Sequence, residues 1–243
     1  MERDEYAIMF RVEDRHWWYH GLRAMLRRVW NAHVPPGRQR FLDVGCGTGA
    51  NLAAFRDVAD CYGIDFAFDA VRFCRNRDEQ RTAAASALDL PFEDCTFDVV
   101  VSCDVVCHRS IANKGDAVRE MCRVLKPGGL MIINLPAYQW LHSSHDTHVQ
   151  TDHRFTRTEV KRMMSNAGLS PAGAWYWNSV LFPVILPTRL WRKLRPLPAS
   201  DLNDASGEGM SPFFAGMLAI ERGAMNFLPM PFGLSIMAAA KKK

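Results

Sequence analysis

The chain has no run of about twenty apolar residues, the length a bilayer-spanning helix needs, and prolines interrupt each apolar candidate. Its first residues are acidic, with no continuous apolar stretch, so no signal peptide is visible. The seven cysteines include no C-x-x-C pair. That excludes zinc ribbons and thioredoxin-like motifs, and it fits reduced thiols in the cytoplasm. Cys103 and Cys107, four apart, could form half a metal site, but buried structural thiols are the ordinary reading, and no metal is expected. A net charge of +4 gives little electrostatic reason for a nucleic-acid partner, and none is expected. No internal repeat stands out. With 243 residues and 48% apolar content, the chain can hold one α/β domain with an elaborated cap.

The most informative stretch present is Phe41 to Gly49. Apolar residues around Asp43 read as a buried strand, and three glycines at alternate positions make a turn. Ala50 to Phe55 then starts a helix. Such a turn lets a ligand approach the backbone where a Cβ would clash, and it aims a helix N-terminus at a negative group. The spacing is G-x-G-x-G rather than the G-x-G-x-x-G of dinucleotide binders, and no Gly-Lys-Ser/Thr follows to grip phosphates.

A second strand, Cys61 to Asp65, ends in a carboxylate. Ligands of open α/β sheets lie across the carboxyl ends of the strands, where an acid accepts ribose hydroxyls. Asp65 lies 16 positions past Gly49, close to the separation of about 20 expected for that role. Capping of the following helix is the competing reading. Thr96 to Cys103 reads as another buried strand. The helix 116–125 stops at Lys126-Pro127-Gly128-Gly129, and Leu130 to Leu135 follows as a strand. This alternation predicts βαβ units and a parallel sheet.

With these blocks in place, the chain resembles the class I S-adenosylmethionine-dependent methyltransferases. The resemblance rests on "FLDVGCGTG", "GIDFA", "LDLPFEDCTFDVVVSCDVVCH" and "REMCRVLKPGGLMIINLP", over residues 38 to 178. It implies a doubly wound, mostly parallel seven-stranded sheet of Rossmann-like type and S-adenosyl-L-methionine as cofactor. Asp43, Gly45, Cys46, Gly47 and Gly49 would line the methionine moiety. Asp65, followed by Phe66, would bind the ribose, Ser86 and Ala87 would flank the adenine, and Cys103 would close the pocket. Many members carry Asp where this chain has Ser86.

The whole chain reads as a single methyltransferase domain. Residues 1–37 form an N-terminal helical lid, 38–178 the cofactor core, 179–231 an insertion and 232–243 a last strand with a basic tail. In the N-terminal segment His16-Trp17-Trp18-Tyr19, three large aromatics cannot share one helix face. They either pin a helix to the sheet or form a lid, in which Trp18 and Tyr19 touch the cofactor or substrate. The "HWWY" pattern resembles a segment of one subgroup of the family, which favours the lid. An aromatic face beside a sulfonium would add about 0.5–2 kcal/mol of cation–π attraction.

The loop from Tyr138 to Thr156 holds four of the eight histidines. Three readings compete for it: a general base, a metal site and a solvated polar loop. The spacings form no recognised ligand motif. His108, His145, Asp146 and His153 are expected to line the acceptor site, and the resemblance supports His145-Asp146 and Arg154-Phe155-Thr156 as one run. The insertion contains Val180 to Pro187, the basic Arg189 to Arg195, a Ser/Gly/Asp-rich stretch to Pro212, and the apolar Phe213 to Leu228. It could cap a hydrophobic acceptor, lie in a membrane interface as a peripheral contact through 180–231, or pack on the sheet or a partner. The functional expectation is methyl transfer to a small, hydrophobic acceptor. A non-catalytic cofactor-binding scaffold is the alternative, and an RNA methyltransferase the weaker one.

Overall fold

The computed structural model describes residues 3–183, 186–187, 206–225 and 230–243. Two N-terminal helices, α1 (Arg3–Val12) and α2 (Trp17–His33), precede β1 (Gln39–Val44), α3 (Ala50–Phe55), β2 (Ala59–Asp65), α4 (Phe68–Asn76) and β3 (Thr82–Ala84). Then come β4 (Phe97–Cys103), α5 (Lys114–Val124), β5 (Leu125–Pro136), α6 (Ser144–His148), α7 (Arg157–Asn166), β6 (Leu169–Trp177), α8 (Ser206–Ala224) and β7 (Ser235–Lys242). The seven strands run in the order β3-β2-β1-β4-β5-β7-β6. All neighbours are parallel except β5–β7 and β6–β7. The strand order reverses between β1 and β4, and ligands of such sheets bind outside the carboxyl ends at that switch point.

The strands read as apolar runs because helices cover both faces. On one face Leu42, Val44, Val100, Met131 and Ile133 meet α5 and α7. On the other, Phe41, Val99, Val101 and Ile132 meet Leu22, Met25, Leu26, Val29 and Trp30 of α2. α7 starts with a capping box, in which the Thr156 side chain accepts from the Glu159 amide and Glu159 answers the Thr156 amide. The segment 126–129, expected as a helix stop, already belongs to β5, as does Leu125, expected as the last helical residue.

Of the insertion, α8 is described in part. It packs on α2, where a side chain at Gly21 would meet Leu218 Cδ1 at 2.6 Å. Arg28 of α2 donates to the carbonyls of Arg222 and Met225 at 2.8 and 3.0 Å. The basic stretch 189–195 and residues 199–205 of the Ser/Gly/Asp-rich stretch lie outside the described residues, while the rest of that stretch, 206–212, opens α8. Among the described residues, no helix is long and apolar enough to cross a membrane.

Candidate functional site

The carboxyl ends of β1, β2, β4 and β5 open into a cavity of about 910 Å³, roofed by α1 and α2. One half is built on the glycine-rich turn. Gly45 and Gly47 have φ of 82° and 52°, a backbone region that L side chains avoid. A Cβ on Gly45 would also run into the Val105 side chain, and one on Gly47 into Met9 of α1. Asp65, at the end of β2, is 7% exposed. Its Oδ2 accepts from the Gly47 amide at 2.9 Å, and its Oδ1 accepts from the Ala67 amide at 2.9 Å and the Tyr6 hydroxyl at 3.1 Å. Burial raises its pKa, and the hydrogen bonds from Ala67, Gly47 and Tyr6 oppose that rise.

Gly45, Cys46, Gly47, Phe66, Ser86, Ala87 and Cys103 line the cavity with Asp65, as do Trp18 and Tyr19. Phe66 is 82% exposed. Asp43 and Gly49 are not on the wall. Gly49 packs on Cys74, 3.2 Å from where its Cβ would stand. Asp43 belongs to a central strand and is wholly buried behind the turn. Its Oδ2 accepts from Asn51 Nδ2 at 3.2 Å, while its Oδ1 has no hydrogen-bond partner. Burial pushes this carboxyl up to about 7. It is Asn51 that reaches the wall. An orphaned buried acceptor beneath the turn, cradling glycines and an acid at the end of β2 together fit a nucleoside cofactor with a cationic tail.

α1 closes this half more tightly than its sequence suggests. Besides the Tyr6 contact with Asp65, Thr48 Oγ1 donates to Glu13, and Arg77 pairs with Glu13 at 3.0 Å and with Asp14 at 2.9 Å. The Phe10 and Phe73 rings lie 5.0 Å apart. Glu5 meets His148 Nε2 of α6 at 2.7 Å, so α1 ties the two halves of the cavity together. Tyr6→Phe removes one donor from Asp65 while keeping the packing. We expect S-adenosylhomocysteine affinity to change by less than about tenfold, with faster release in stopped-flow experiments. A loss of all binding would mean that Tyr6 itself holds the ligand.

The other half is walled by Trp17, Trp18, Tyr19 and Leu22 of α2, by Asp104, Val105, His108 and Ile111 after β4, and by Pro136, Asp146, Val149, Thr151, Arg154, Asn178, Leu234 and Ser235. Here the expected histidines separate. His108 lines the cavity, and its Nδ1 lies 2.7 Å from Ser110 Oγ. Burial first, then nearby cations, lower its pKa. His153 does not reach the wall; it lies edge-on to Phe155, 4.5 Å between ring centroids, and 3.6 Å from Glu159. His145 lies in α6, but its side chain is outside the described residues. Asp146 lines the cavity as a fastened group. Its Oδ1 accepts from Arg154 Nη1 at 2.6 Å and its Oδ2 from the Ser143 amide and hydroxyl at 2.9 and 3.1 Å. Arg154 also donates to the carbonyls of Ala137 and Leu234. The pair is buried and pins the acceptor loop to the ends of β5 and β7. Among the described residues no group of acidic, His and Cys side chains could hold a metal.

Sequence reading missed Tyr6, Asp104, Asn134 and Asn178. Asp104 follows β4 with φ of 57° and faces the cavity. Asn134 Nδ2 donates to both its oxygens at 3.2 and 3.1 Å, and Trp177 Nε1 donates to Asn134 Oδ1 at 2.8 Å. Burial pushes Asp104 up to about 7. A polar residue just past an apolar strand was the available signal, and it sat beside Cys103.

Residues 42–133 match a family described as a methyltransferase domain. A mouse protein named probable tRNA methyltransferase 9B is 34% identical over 49% of this chain and 24% of its own length. The demethylmenaquinone methyltransferase of Tropheryma whipplei is 35% identical over 54% of this chain and 52% of its own. The chain thus spans about half or less of the length of these curated relatives. Among solved structures, a chain of the Haloferax volcanii complex with the Trm112 methyltransferase activator aligns with a TM-score of 0.63 and 20% identity. That alignment covers 98% of this chain and 94% of the other. A Haemonchus contortus phosphoethanolamine N-methyltransferase 2 in complex with S-adenosyl-L-methionine aligns at 0.59 and 20%, over 93% and 52%. The tRNA-named relatives overturn the expectation of no nucleic-acid partner. Net charge is a sum over the whole surface and is blind to a local groove or to a partner that carries the RNA.

Proposed function

We infer that the chain, a class I S-adenosylmethionine-dependent methyltransferase by the domain it carries and the fold around it, methylates a small, largely apolar acceptor enclosed beside the cofactor. S-adenosylmethionine supplies a methyl group on a sulfonium, already a good leaving group. The protein's work is then positioning and exclusion of water, which can contribute about 7–11 kcal/mol. Gly45 and Gly47 admit the cofactor to the backbone, Asp65 accepts from the ribose, and Ser86 and Ala87 border the adenine. Trp17, Trp18, Tyr19 and Leu22 form the acceptor's apolar wall.

The observation that carries this reading is the cavity of about 910 Å³ under α1 and α2. It lies at the upper end of the range of about 300–1,000 Å³ for small-ligand sites, large enough for a nucleoside and a small acceptor together. We treat 1–243 as one unit with 1–37 as its lid, and its free cysteines suit a reducing cytoplasm. A second reading, methyl transfer to tRNA, is favoured by the relatives named for that activity. Incubation with methyl-tritiated S-adenosylmethionine and fractionated cell extract separates the two. The small-acceptor reading predicts label in the organic-extractable fraction. Label confined to nuclease-sensitive tRNA would replace it with the second.

A further inference from the structure

We propose that Asp104 takes the acceptor's proton, its carboxylate aimed by Asn134 and Trp177, so that the methylated atom is a nitrogen or oxygen bearing a hydrogen. The proposal rests on the methyl-transfer reading and goes beyond it in naming the base and the class of acceptor.

The geometry is that of a held base. Asp104 sits on the cavity wall directly after the carboxyl end of β4, at the switch point of the sheet. Its backbone is in the left-handed region, a conformation that costs about 1–3 kcal/mol for a non-glycine residue and persists where the surroundings impose it. Asn134 could present either its oxygen or its NH₂ to Asp104. Because the buried Trp177 N–H claims the oxygen, the NH₂ is what Asp104 meets, and the carboxylate is oriented while keeping free lone pairs.

A second polar residue, Asn178, belongs to the same wall. Asn178 is 2% exposed, with φ of 62°, and its Oδ1 is buried without a hydrogen-bond partner. Buried acceptors left unpaired are uncommon in folded proteins. The carboxylate of Asp104 on the cavity wall selects an acceptor molecule that brings an N–H or O–H group.

The groups around Asp104 leave it titratable in the useful range. Tyr19 faces it from α2, Arg154 and Asp146 from the acceptor loop, and the thiols of Cys103 and Cys107 from its own segment. Burial raises its pKa, Asn134 and Arg154 oppose the rise, and Asp146 adds to it. A base poised near working pH is the efficient one. As the acceptor's nitrogen or oxygen bonds to the methyl carbon, the carbon–sulfur electron pair stays on sulfur. The proton passes to an Asp104 oxygen and leaves to solvent after product release.

The test uses two cofactor analogues and needs no identified acceptor. Sinefungin carries an amine-bearing carbon where S-adenosylmethionine has its S-methyl group, so its ammonium marks the transfer point; S-adenosylhomocysteine has nothing there. By calorimetry at pH 8, the wild type is expected to prefer sinefungin by about tenfold or more, and the preference should shrink at pH 5.5 as Asp104 protonates. Asp104→Asn should abolish the preference at pH 8 while S-adenosylhomocysteine affinity stays within about threefold. Thermal unfolding of the apo variant reports its fold. A carboxyl with a raised pKa loses the native state stability between its unfolded and folded pKa values. The variant should therefore gain on the wild type as pH rises from about 4 to about 7. A preference that survives in the variant, or a wild type with no pH-dependent preference, overturns the proposal, and the wild-type series decides even if the variant fails to fold. Failure of the wild type to bind S-adenosylhomocysteine overturns the methyl-transfer reading itself, and the proposal with it.

Discussion

Arg154→Met is expected to lower the free energy of unfolding by about 3–5 kcal/mol, the usual cost of stranding one member of a buried ion pair. Arg154 and Asp146 are 3% and 2% exposed, and their shortest contact is 2.6 Å. Methionine replaces the volume of the arginine stem but takes the guanidinium away from Asp146 Oδ1. It also frees the carbonyls of Ala137 and Leu234, which anchor the acceptor loop to β5 and β7. Urea unfolding measures the loss. The double variant with Asp146→Asn should recover part of it, because the buried carboxylate charge that Arg154 paired is gone. A single-variant loss below about 1 kcal/mol would place the pair in the class of weakly coupled surface bridges.

Asp65→Ala is expected to weaken S-adenosylhomocysteine binding by at least tenfold, about 1.4 kcal/mol. Two effects combine. The ribose loses a charged acceptor, worth roughly 1.5–3 kcal/mol when hydrogen-bonded. The Gly47 amide and the Tyr6 hydroxyl also lose the group that holds the turn and α1 together. The loss is offset in part because burial makes the charged carboxylate costly in the empty site. Thermal shift at saturating ligand gives an independent reading, since ligand stabilisation scales with the logarithm of occupancy.

The sheet was legible because its strands are continuous apolar runs ending in glycine or acid, and because helix stops separate them. β3 was not, since Thr82–Ala84 is three residues long, carries no apolar pattern and is held mainly by pairing with β2. The turn and Asp65 were readable as local motifs. Depth was not: Asp43 is adjacent to the turn in sequence, yet its place in the central strand hides it under Asn51. The acceptor loop misled for a related reason. A run rich in histidine looks like chemistry, but His148 is used to hold α1, and His153 to meet α7. Asp104 and Asn178, which line the cavity along with the expected His108 and Asp146, are single polar positions at strand ends. Only the switch of strand order and the fold of α2 over the sheet bring them together.

The measurement that tests the account most directly is a calorimetric titration of the wild-type chain with S-adenosylhomocysteine. One site with micromolar affinity, weakened tenfold or more by Asp65→Ala, is the predicted result. No heat of binding to the folded wild-type chain would contradict the assignment of the cavity to a nucleoside cofactor.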